Sequence, residues 1–151
     1  MNMTTFDFGN GPVPAHQHPN GGGWVADTAT VADTAYVGPD AWVYGNARVF
    51  DNAWVCGDAR VYGNAQVSNH ALVYGNAEVF GYALVSEYAR VSGNARVSGE
   101  AWVFDNAQVC GNARVSDAAL VSGNARVYGD KTNEDIFIEM NGKRYKLVEV
   151  E

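Results

Sequence analysis

Valine stands at every sixth position from Val25 to Val127, 18 times without a miss. Alanine stands two residues before each valine from Val31 onward, 17 times from Ala29 to Ala125. The unit reads A-x-V-x-G-N, as in Ala59-Arg-Val-Tyr-Gly-Asn64, and no insertion breaks it. In A-x-V-x the constant residues alternate with variable ones, so Ala and Val point to one side of a short strand and the x residues to the other. The last two positions form a turn. Glycine accepts positive φ freely, and Asn or Asp tolerates it better than other residues. A bend every six residues closes a coil. One coil cannot bury its own valines, but stacked coils share a continuous core. A six-residue period sustained over about 100 residues marks a β-helix built from hexapeptides.

The first turn position reveals how many strands make a coil. Taken every 18 residues, one series is Pro39, Gly57, Gly75, Gly93, Gly111, Gly129, and another is Asp33, Asp51, Asn69, Glu87, Asp105, Gly123. Glycine fills the first and is nearly absent from the second, so an 18-residue period overlies the shorter one and each coil has three sides. About six coils follow, a prism roughly 25–30 Å long at the usual strand spacing. Residues 49–60 recur with few changes as 103–114, an offset of 54 residues or three whole coils. Residues 1–24 lie outside the repeat. They are rich in Gly and Pro and read as a loop or N-terminal cap, which a solenoid needs over its terminal strand edges. Residues 25–130 are the coil. In 131–151 two strand-like runs flank Asn141-Gly142, the signal of a hairpin with a type I′ turn. That hairpin is a C-terminal cap or a strand donated to a neighbouring subunit.

Residues 25–130 resemble the left-handed parallel β-helix of the hexapeptide-repeat superfamily. The general rule for parallel crossovers favours the right hand, so the left hand is what the resemblance implies. The expected fold is all-β: a three-sided left-handed parallel β-helix of about six coils, with an N-terminal loop cap and a C-terminal β-hairpin. The superfamily contains acyltransferases, γ-class carbonic anhydrases and many proteins of unassigned activity. The stretch Val13-Pro-Ala-His-Gln-His-Pro-Asn-Gly-Gly-Gly-Trp-Val25, together with the monotonous G-N-A-x-V coil, is similar to uncharacterised bacterial and prophage members.

Three flat outer faces follow from the 18-residue period. The first carries Trp24, Trp42, Tyr44, Arg60 and Tyr62, the second Trp102 and Phe104, and the third Trp54 and Tyr74. Monomers rarely expose contiguous apolar patches, and Trp, Tyr and Arg are the favoured residues of protein contacts. These nine residues are therefore the candidates for a subunit contact or a ligand face. A homo-oligomer is expected, and the resemblance implies a trimer. Cross-strand aromatic ladders that only stabilise the sheet are the plainer alternative.

Tests for chemistry return little. His16 and His18 could supply two metal ligands from one extended segment, but local capping is the simpler role. The three His ligands that a γ-class carbonic anhydrase sets on neighbouring coils have no counterpart among His16, His18 and His70. No loop leaves the coil and no His sits on a flat face, so the acceptor site and base of the related acyltransferases are missing. No phosphate-binding loop or nucleophile elbow appears. The corner of Asp33, Asp51, Asn69, Glu87 and Asp105 stacks oxygen-bearing side chains, which solvation explains as well as a shared Ca²⁺ would. Cys56 and Cys110 share a column three coils apart, about 14 Å, too far for a disulfide, and free thiols fit a reducing cytoplasm. The net charge of −7 disfavours general nucleic-acid binding, and no apolar run is long enough for a membrane span. No cofactor is expected. The reading is a non-enzymatic oligomeric scaffold or interaction module, bacterial or phage-encoded. A protein partner is one possible occupant of its faces. The alternatives are a binder of small anionic molecules such as nucleotides in a groove between subunits, and an acyltransferase-like enzyme.

Overall fold

A computed structural model describes residues 4–129, 136–140 and 143–147. Each A-x-V-x unit forms a strand of about two residues, such as Trp42–Val43 or Arg60–Val61. Each strand pairs with the strand 18 residues on, in parallel and in strict register: Trp42 with Arg60, Gln66 with Leu84, Leu72 with Arg90. Three sheets result, and each contributes six parallel strands to a three-sided solenoid of six coils. From Val37 to Val109 every repeat valine is fully buried, and the alanines from Ala35 to Ala113 line the same core. No helix occurs among the described residues, and none is long and apolar enough to cross a membrane.

Positive φ falls on the first turn residue. It is glycine at most turns, with φ between 60° and 69° in the coil, but Asp51, Asn69, Glu87, Asp105 and Asp117 also adopt φ of 57–59°. A side chain at a glycine corner would strike the next coil: a Cβ on Gly63 would lie 2.9 Å from the backbone nitrogen of Gly81. The corner bond from the Asn46 amide to the Gly63 carbonyl is 2.7 Å, whereas its counterpart from Asn52 to Asn69 is 2.9 Å. The non-glycine corner is slightly wider, and Asp105 uses its side chain to accept the Gly123 amide at 2.9 Å.

The ends are closed by hairpins. The N-terminal segment, expected as a loop or cap, forms two antiparallel strands, Thr5–Asp7 and Pro12–Gln17, and the second of them pairs with Trp24–Ala26. Asp7 Oδ1 accepts the amides of Gly9 and Gly11 at 2.7 and 3.0 Å and so fixes the turn. At the other end Ile136–Met140 adds antiparallel to Arg126–Gly129, and Lys143–Leu147 adds to it in turn. The C-terminal hairpin thus extends the third sheet of its own chain. The Asn141-Gly142 turn itself lies outside the described residues. Among the described residues the second sheet carries no hairpin at either end.

Candidate functional site

Parallel register turns the variable x residues into rows along each face. On the first face Tyr44, Tyr62 and Phe80 stack at 4.8 and 5.0 Å, nearly parallel. The neighbouring row runs Trp24, Trp42 and Arg60, with the Arg60 guanidinium 4.3 Å from the Trp42 ring. Glu78 and Arg96 pair at 2.9 Å further along. This ladder is not bare, contrary to the expectation for Trp24, Trp42 and Tyr44. The N-terminal hairpin folds over it: Phe6 stacks on Trp24 at 4.6 Å and Phe8 on Tyr44 at 4.9 Å, and both meet Trp42 edge-on. Phe8, Ala15 and Ala26 are buried in this second small core. Burial pushes the Tyr44 phenol up to about 12, with Tyr62 adding to the rise and Arg60 opposing it. The sequence signal for the strand, though not for where it docks, is Phe6-Asp7-Phe8, a period-two run ahead of Gly9-Asn10-Gly11.

A groove of about 390 Å³ remains beside the covered ladder, lined by Phe6, Trp24, Pro39, Asp40, Trp42, Asp58 and Arg60. Arg60, the one cation among these described lining residues, already stacks on Trp42, and Asp40 and Asp58 flank it. That charge pattern opposes an anion such as a nucleotide phosphate.

The other two faces are less covered. On the third, Trp54 is 49% exposed, stacks on Tyr36 at 4.7 Å and sits beside Leu72 in the ladder; Tyr74 is exposed in the adjacent row. On the second, Leu84, Trp102 and Leu120 are consecutive rungs, with Trp102 5.1 Å from Phe104 and Leu120 66% exposed.

The two N-terminal histidines do not converge. His18 is buried and its Nε2 donates to the Ala35 carbonyl at 2.8 Å, next to Asn20 Nδ2 on the same oxygen. His16 is exposed and its Nδ1 lies 2.8 Å from Asp27 Oδ1. Both hold the N-terminal segment to the coil. Among the described residues no three His, Cys, Asp or Glu side chains come together as a metal site. At the acidic corner, a hydrogen bond to Asp105 holds the Glu87 carboxyl above its ordinary value, and desolvation and the Asp105 charge act in the same direction. His70 stacks on Tyr88 at 5.2 Å alongside. Cys56 and Cys110 are free, and burial pushes the Cys56 thiol up.

What this geometry presents is ordered side-chain rows on flat faces. No curated protein and no solved structure matches the chain. A protein-family model described as YdcK Beta solenoid repeat matches residues 41–57, 53–69, 89–104 and 107–123, each match spanning nearly one coil. With three parallel sheets stacked through six coils, the chain is a β-solenoid repeat protein.

Proposed function

We propose that the protein is a non-enzymatic scaffold that assembles with copies of itself through its flat faces. One observation carries this reading. The register sets large apolar side chains side by side on the two faces that no hairpin covers, with Trp54 and Tyr74 exposed on one and Phe50, Trp102 and Leu120 exposed on the other. Contiguous apolar patches are rare on the surfaces of monomers, yet Trp and Leu stand there in consecutive rungs. Contacts of this kind are where Trp and Tyr contribute most binding energy. The reading takes the coil as left-handed and the chain as a bacterial or phage-borne member of the hexapeptide-repeat superfamily, as the resemblance implies, and as cytoplasmic, which the free thiols of Cys56 and Cys110 fit. The test is the mass in solution by light scattering at micromolar concentration. An oligomer is expected. A monomer of 16.2 kDa at all concentrations overturns the reading.

A further inference from the structure

The third face is self-complementary when read from its two ends. Its outward side chains form two rows fixed by the register of six parallel strands. The row beside the acidic corner runs Tyr36, Trp54, Leu72, Arg90, Gln108, Arg126. It is aromatic and apolar over three coils, then polar and cationic over three. Laid against its own reverse, it sets Arg126 on Tyr36, Gln108 on Trp54 and Arg90 on Leu72. The second row matches by size: Tyr128 meets Gly38, Ser92 meets Tyr74, and Cys110 meets Cys56. Bulk faces little bulk, and each guanidinium lands on the half that carries Tyr36 and Trp54, where ring faces attract cations.

The competing arrangements fit less well. A two-fold along the solenoid axis would crowd the Arg90 and Arg126 of both copies into one half-face. Glu139 of the hairpin stands beside Arg126, but within the six parallel strands neither row carries a carboxylate to offset Arg90, and Leu72 would meet Tyr74. On the second face the same reversal sets Arg48 on Trp102, but that face offers one cation per copy where the third offers two, and it puts Phe50 on Phe104; the hairpin occupies the first face.

We propose that the third face is the contact between two copies of this chain, packed with antiparallel solenoid axes about a two-fold that passes between Leu72 and Arg90. This rests on the self-association proposed above and names its face and symmetry, a two-fold where the resemblance implies a threefold.

The native thiols test it on the full chain. Within one chain Cys56 and Cys110 stand three coils apart, about 14 Å, beyond the roughly 7 Å that a disulfide spans. Across the proposed contact they face each other at about the 10 Å spacing of packed sheets, too far for a disulfide but within reach of a short bis-maleimide. That reagent, adding one thiolate across the double bond of each ring with no leaving group, is expected to give a covalent dimer on a denaturing gel. Cys56→Ser and Cys110→Ser are each expected to abolish that band, and mixing the two variants to restore it. Light scattering of the untreated protein separates the two levels of inference. A monomer overturns self-association itself. An oligomer that gives no cross-link, or a single-cysteine variant that cross-links to itself, overturns the antiparallel third-face contact and leaves self-association standing.

Discussion

The turn residues carry the sharpest constraint at the scale of single side chains. Gly63 combines φ of +69° with a next-coil backbone nitrogen where its Cβ would be, whereas Gly123, at φ of +60°, has nothing within 4 Å of a Cβ. Gly123→Ala therefore meets only the left-handed backbone penalty, about 1 kcal/mol, while Gly63→Ala must also push two coils apart and is expected to cost about 2–3 kcal/mol. Denaturant melts of the two variants measure the difference, and equal losses would mean that coil spacing yields freely. The acidic corner makes a pH prediction. Glu87 binds its proton more tightly folded than unfolded, so the associated stability is present below the ordinary Glu value and is lost as pH rises through the raised folded value. The melting temperature of the wild type, minus that of Glu87→Gln, should fall as pH rises through that window. A difference that is flat with pH contradicts the shared-proton account.

At the scale of elements, the N-terminal hairpin changes what an aromatic substitution means. Before its cover is considered, Trp42→Glu with Tyr44→Glu is a test of a subunit contact. With Phe6 and Phe8 stacked on that pair, the double variant removes the seat of the hairpin and sets carboxylates under two phenylalanines. The expected outcome is a coil that stays folded with a hairpin that lifts: faster amide exchange across Thr5–Asp7 and Pro12–Gln17, with slow exchange kept in strands such as Leu72–Val73. Unchanged protection of Phe6 and Phe8 would show that backbone pairing to Trp24–Ala26 suffices to hold the hairpin.

For the molecule as a whole, nearest-neighbour stacking makes stability a matter of position along the axis. Val73 is fully buried with coils on both sides, while Val121 is 8% exposed in the last coil, where the second sheet ends uncapped. Val73→Ala is expected to cost about 2 kcal/mol, with the cavity left unfilled from either side. Val121→Ala is expected to cost about 1 kcal/mol and to speed local opening of the end coil more than global unfolding. Amide exchange at Val121 compared with Val73 reads this directly, and equal effects on global melting would mean that the six coils unfold as one indivisible unit.

The sequence alone determined the solenoid, because its period is stated 18 times and each unit carries its own strand, bend and inward residue. Even the number of sides was legible, since the corner lined by Asp51, Asn69, Glu87 and Asp105 avoids the glycine that fills the others. The C-terminal hairpin was legible from Asn141-Gly142, but whether it serves its own chain was decided by pairing with Arg126–Gly129. The cover of the first face was decided only in three dimensions. A repeat fixes its own register by local spacing, but the place where a non-repeating segment docks depends on which exposed surface its side chains match. Phe6 and Phe8 say that a strand forms; only the packed structure places those rings on Trp24, Trp42 and Tyr44. For the same physical reason the exposed side-chain rows emerge from tertiary geometry. The x residues of the repeat are free of core constraints, and their meaning lies in the rows that stacking makes of them.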